Sequence, residues 1–239
     1  QDPVPRTVIL SGKAEPGNPL SKLIIKLAHD IAALIHSNPT MVPRLKLLFL
    51  PDFRVSVAEN MCPGADLVEQ ISFPPMEPAG TSQMKFALNG ALIIGTPCGA
   101  NLEIRDVIRP RNLFLFGLTE EEITTRRTRG YESRRIYQSN PELKRTIDLI
   151  AKGYFSPDDP SRYKPLLQYL IEDGDPHMIL ADFADYLQCQ TQVDDLFRKP
   201  KEWNQRAIAT VSRMGVFYSD RAIRQYAKDI WNLQPLSLS

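Results

Sequence analysis

Histidine and cysteine are both scarce, at three residues each among 239, and neither type is grouped. Cys62, Cys98 and Cys189 are odd in number and have no metal-ligand spacing, so they read as reduced thiols in a cytosolic protein rather than as a disulfide framework. His29, His36 and His177 are equally scattered, and no metal site is expected. An excess of one charge is missing too. The 29 Lys and Arg face 28 Asp and Glu, a net of +1, which gives no bulk attraction to nucleic acid or to an anionic membrane. No apolar run is long enough to span a bilayer, the start carries no signal-peptide pattern, and there is no repeat, low-complexity tract or flexible linker. The absence of Gly-x-Gly-x-x-Gly after an early strand argues against a dinucleotide-binding enzyme. The sequence starts at Gln1 rather than Met and reads as a fragment or a processed product.

What remains is an ordinary globular composition, 43% apolar and 24% charged, enough for a domain that buries its own core. Thr7-Val8-Ile9-Leu10, Leu45 to Leu50, Leu67 to Ser72, Ala91 to Gly95 and Leu113 to Gly117 are short β-rich or apolar runs, the first of them read as a buried strand. Between them lie helical patterns: Leu20 to Ile35 with one apolar stripe, a short helix after Phe53, one from Thr81, and one over Asn101 to Val107. This alternation predicts an α/β fold with a parallel, doubly wound, Rossmann-like sheet. Beyond Thr119, which opens a capping box with Glu122, the pattern is helical. Helices are predicted over 142–152, 163–172, 181–197, 201–214 and 221–231. The predicted division is therefore 1–118 for the α/β portion and 119–239 for a helical C-terminal portion. Arg126, Arg127, Arg129, Arg134 and Arg135 read as a solvated face.

The stretch from Met76 to Gly90 carries the chemistry. Pro78 and Gly80 break regular structure, a helix starts at Thr81, and Gly90 ends it. Thr81 and Ser82 place hydroxyls and backbone N–H groups at the positive end of that helix, which suits a phosphate dianion. Lys85 lies four residues further on, on the same face. A group with a phosphate at one end and an aldehyde at the other fits this spacing, and pyridoxal 5′-phosphate is such a group. The same spacing equally suits a lysine that is only a solvated charge.

Glu77-x-x-Gly80-Thr81-x-x-Met84-Lys85-Phe86-x-Leu88-Asn89-Gly90-Ala91-x-x-Ile94-Gly95-Thr96, followed by Gly99-Ala100-Asn101-x-Glu103, resembles the signature of the glycogen/starch α-glucan phosphorylases. The resemblance runs from Pro5-Arg6-Thr7 through Phe53-Arg54-Val55-Ser56 and Phe155-Ser156-Pro157 to Tyr226-Ala227-x-x-Ile230-Trp231. It implies the later part of the C-terminal domain of a two-domain glycosyltransferase B-type fold, and the reversible phosphorolysis of α-1,4-glucan to glucose 1-phosphate. By the same resemblance Lys85 is the candidate catalytic residue and holds pyridoxal phosphate as a Schiff base. Thr81 and Ser82 bind its phosphate, Phe53 and Arg54 lie against it, and Glu77, Ala79 and Gly80 bind the transferred glucose. The implied partners are α-glucan, inorganic phosphate, the remainder of the phosphorylase chain and, at full length, a second copy. The implied location is the cytoplasm or a plastid.

Several positions depart from the family pattern. Phe53 stands for a tyrosine, Phe73-Pro74-Pro75 for a glycine-containing turn, Pro78 for a residue with an N–H, Ala79 for serine, Gln83 for asparagine and Cys98 for aspartate. Two competing functions share much of this pattern: a nucleotide-sugar glycosyltransferase of similar fold, and a non-catalytic glucan-binding relative.

Overall fold

The computed structural model describes residues 4–74, 80–234 and 236. In chain order the described elements are β1 (Arg6–Gly12), α1 (Pro19–Ser37), β2 (Leu45–Pro51), α2 (Val55–Met61), β3 (Leu67–Gln70), α3 (Ser82–Leu88), β4 (Leu92–Gly95), α4 (Gly99–Ile108), β5 (Leu113–Leu115), α5 (Glu120–Arg129), α6 (Ser133–Ser139), α7 (Pro141–Ala151), α8 (Lys164–Leu167), α9 (Ile179–Phe197), α10 (Pro200–Met214) and α11 (Ser219–Asp229). They divide into two units, one of residues 1–60 and 116–198, the other of 61–115 and 199–239.

In the first unit β1 pairs with β2 in parallel, Arg6 opposite Leu45, and α1 makes the crossover. Asn18 starts α1 by accepting the Ser21 N–H at 3.0 Å, Pro19 supplies a preset φ, and Ala28, Ala32 and Ile35 form the buried side. Only one edge of β1 is paired within this sheet, and Val8, Ile9 and Leu10 remain 36%, 42% and 42% exposed. The burial predicted for this strand is therefore corrected: its apolar run makes a strand but leaves it half covered. Around α7 and α9 a separate core gathers Leu143, Ile147 and Leu180, packed by Ile136, Leu167 and Phe183. Arg6 reaches from β1 to Asp194 of α9 at 2.6 Å. The five arginines of the basic cluster are all exposed, with Arg127 donating to the Pro176 carbonyl and Arg134 paired to Glu172.

The second unit is a β3–α3–β4–α4–β5 run whose three strands are parallel in that order, Leu67 opposite Leu92 and Ile93 opposite Leu113. β4 is central and all four of its residues are buried, as expected for a strand covered on both faces. Ile93 meets Ala87 of α3, Ile104 and Ile108 of α4, Leu113 of β5 and Met214 of α10 in one core. Each fully buried Ile of this kind contributes about 1.5–3 kcal/mol. Gly90 takes φ 101°, a conformation costly for any side chain, and this turns the chain from α3 into β4.

Candidate functional site

α3 is anchored by one face and open on the other. Gln83, Phe86 and Ala87 are buried, while Thr81 and Lys85 are exposed. Thr81 is the N-cap, and its hydroxyl makes no capping bond to the first turn. The Lys85 N–H donates to the Thr81 carbonyl at 3.3 Å. That bond fixes the two residues on one face, one turn apart. Lys85 makes no ion pair among the described residues. Its charge is felt by buried Cys62: burial pushes that thiol up, and Lys85 opposes the rise without overcoming it.

The other candidate residues are placed as follows. Gly80 is half-buried directly before Thr81, and Ser82 is half-buried as the first residue of α3. Glu77 and Ala79, with Pro78, lie outside the described residues. Phe53 and Arg54 belong to the first unit, between β2 and α2. Phe53 is half-buried, and Arg54 is exposed with its guanidinium 3.6 Å from Asp52. The Asp52 carboxyl is held below the usual range by its bond to Lys13, with Arg54 adding to the effect. The structure thus places Gly80 and Thr81 directly before one short helix that carries Ser82 and Lys85.

That donor set fits pyridoxal phosphate. A primary amine in no ion pair among the described residues suits an aldehyde. A hydroxyl and open helix N–H groups one turn earlier suit a phosphate.

A second arrangement at the carboxyl ends of β3 and β4 was given no role from sequence, although Thr96 and Asn101 belong to the quoted signature. Asn101 is 1% exposed, and its Nδ2 donates to Gln70 O at 3.1 Å and Thr96 O at 3.0 Å. The Thr96 hydroxyl donates to Ser72 O at 2.6 Å and accepts from Ser72 N at 3.1 Å. Cys98 Sγ lies 3.4 Å from the Thr96 hydroxyl and 3.7 Å from Ser72 O, where a thiol donates weakly and a carboxylate would be repelled. The signal available in the sequence was Gly95, since glycine at the end of a buried strand marks a close approach.

Among the described residues no group of three potential ligands forms a metal site, and no helix is long and apolar enough to cross a membrane. A family model described as carbohydrate phosphorylase matches residues 1–233. The chain is similar to glycogen phosphorylase of Chlamydia pneumoniae, at 46% identity over all of this chain and 29% of that protein. It is similar to the Homo sapiens brain-form glycogen phosphorylase, at 45% identity over 98% of this chain and 28% of the relative. The Synechocystis glycogen phosphorylase shares 46% identity over 98% of this chain and 28% of its own length. The chain therefore spans less than a third of the curated relatives that it matches.

Proposed function

Because the chain belongs to the carbohydrate phosphorylase family, we propose that the full-length protein is an α-1,4-glucan phosphorylase that releases glucose 1-phosphate from a glycogen- or starch-type glucan with pyridoxal phosphate bound at Lys85. The observation that carries this reading is the exposed amine of Lys85, in no ion pair among the described residues, one turn from Thr81 on a helix whose opposite face is buried. Residues 1–118 then form the Rossmann-like portion and 119–239 the helical portion of one domain.

Lys85 holds the cofactor through its amine, and the buried face of α3 keeps that amine from drifting. Thr81 and the N–H of Ser82 orient the cofactor phosphate at the helix start. By the family resemblance Phe53 and Arg54 are further cofactor residues, Phe53 with one hydroxyl fewer than a tyrosine would give. Glu77 and the Gly80 N–H take hydroxyls of the transferred glucose, beside Ala79, while Pro78 offers no N–H. When bound, pyridoxal phosphate supplies a phosphate group with a second ionisation near about pH 6, suited to passing a proton to and from the substrate phosphate.

The remainder of the chain completes the glucan and phosphate sites, and the full-length protein is a cytoplasmic homodimer. The isolated 239 residues are accordingly inactive, since without the opposing groups an incoming phosphate is neither aligned nor stabilised. The test is phosphate-dependent formation of glucose 1-phosphate from glycogen, starch and maltodextrin by the full-length protein. Formation with at least one glucan is expected. Its absence in cofactor-loaded protein contradicts the proposal and favours a non-catalytic relative.

A further inference from the structure

We infer that Lys13 is a positioning residue for Arg54, keeping its guanidinium available to an anionic cofactor by occupying the carboxylate of Asp52, an inference that rests on the reading of Arg54 as a cofactor residue. The three residues meet at the carboxyl ends of β1 and β2. Gly12 lies opposite Pro51 in the parallel register, so Lys13 and Asp52 are the residues that follow on each strand. In open α/β sheets that end is where ligands bind. Asp52 takes φ 56°, a left-handed conformation that aspartate tolerates better than most residues, and the chain turns there. The Arg54 carbonyl then accepts from Val57 N at 3.0 Å and Ala58 N at 2.9 Å, which fixes its backbone at the start of α2. Only its side chain is left to respond to charge.

The carboxylate is shared unequally. Lys13 Nζ stands 2.7 Å from Asp52 Oδ1, whereas Arg54 Nη1 stands 3.6 Å from Oδ2, beyond hydrogen-bond reach. Lys13 is accordingly the main cause of the lowered Asp52 carboxyl, with Arg54 a minor one. Two cations against one anion leave a positive charge over, and it sits on the more loosely held guanidinium, whose planar fork suits oxyanions. Without Lys13 the carboxylate has only Arg54, and the two close into a pair of their own. An anionic cofactor then has to compete with Asp52 for the guanidinium. All three side chains are more than half exposed, so solvent screens the effect and keeps it modest.

The experiment titrates pyridoxal phosphate into cofactor-free full-length protein and reads the dissociation constant from the cofactor's absorbance. Lys13→Met is expected to weaken binding by about three- to fivefold. Asp52→Asn removes the competing charge with a residue that also accepts the left-handed turn, and is expected to bind within about twofold of the parent. The double variant is expected to return to that level, because Lys13 acts only through Asp52. A parental constant in Lys13→Met overturns the inference. So does a double variant as weak as Lys13→Met, since Lys13 would then act on the cofactor or on folding without Asp52. Failure of the underlying reading shows separately, as Arg54→Gln binding the cofactor as tightly as the parent, and it removes the basis of the inference.

Discussion

β1 and β4 come from similar apolar runs and end in opposite surroundings. Ile9 in β1 is 42% exposed, whereas Ile93 in β4 is 0% exposed. β4 is paired on both edges and covered by side chains of α3, α4 and α10, while β1 is paired to β2 alone within its sheet. Strand formation is a local property, but depth of burial is set by which neighbours arrive. The candidate site sits with the deeper strand, in the unit where α3 is anchored by Ala87 and where Gly95 allows Asn101 to reach the end of β3. The Lys85 amine can stay exposed there because the opposite face of its helix is held.

The largest contrast is expected from truncating the two isoleucines. Ile93→Ala should cost about 3–5 kcal/mol, through lost burial plus the cavity left between α3, α4 and Met214. Ile9→Ala should cost under about 1.5 kcal/mol, as half of its side chain already meets water. Denaturant unfolding of both variants checks the ratio, and equal costs would break the comparison.

Glycine substitution sharpens it at the strand ends. Gly95→Ala must displace Asn101 Nδ2 and the Gln70 carbonyl, and about 2–3 kcal/mol of destabilisation is expected. Gly12→Ala, at the end of β1, meets nothing within 4 Å and should stay within about 0.5 kcal/mol of the parent.

The smallest effect is electrostatic and lies in the first unit. Burial pushes the Asp182 carboxyl up from 3.8 to about 6, against the Leu118 N–H that bonds it and with the help of nearby Asp185. Below the lower value the group is protonated in both states, and above the higher it is ionised in both. Between them only the folded state holds the proton, so this contribution to stability falls as pH rises from about 4 to about 6. Relative to the parent, Asp182→Asn should gain on the order of 1–2 kcal/mol across that window. The check is the difference between the two unfolding free energies from pH 4 to 7. A flat difference would remove Asp182 from the account.

Much of the fold was legible because it is written in local periodicity and caps. The apolar stripe of Leu20 to Ile35 became α1, and Thr119 does accept from Glu122 N while Glu122 returns the bond to Thr119 N. α6 was missed, since Ser-Arg-Arg-Ile-Tyr-Gln-Ser has no apolar stripe. It is held by remote partners, with Ser133 donating to the Ile171 carbonyl and Tyr137 bonded to Asp148. Alternation likewise predicted parallel pairing but not that the strands would pair as two sheets. At the candidate site the shared face of Thr81 and Lys85 was legible because it spans one helical turn, while the roles given to them came from the family resemblance. Thr96 with Ser72 and Asn101 with Gln70 are 24 and 31 residues apart, and no periodicity announces such bonds.

The most direct test of the central claim is borohydride reduction of the full-length protein supplied with pyridoxal phosphate, followed by peptide mapping. The account predicts a pyridoxyl mass on the peptide containing Lys85 and its disappearance in Lys85→Ala. Labelling of another lysine, or no label at all, would contradict it.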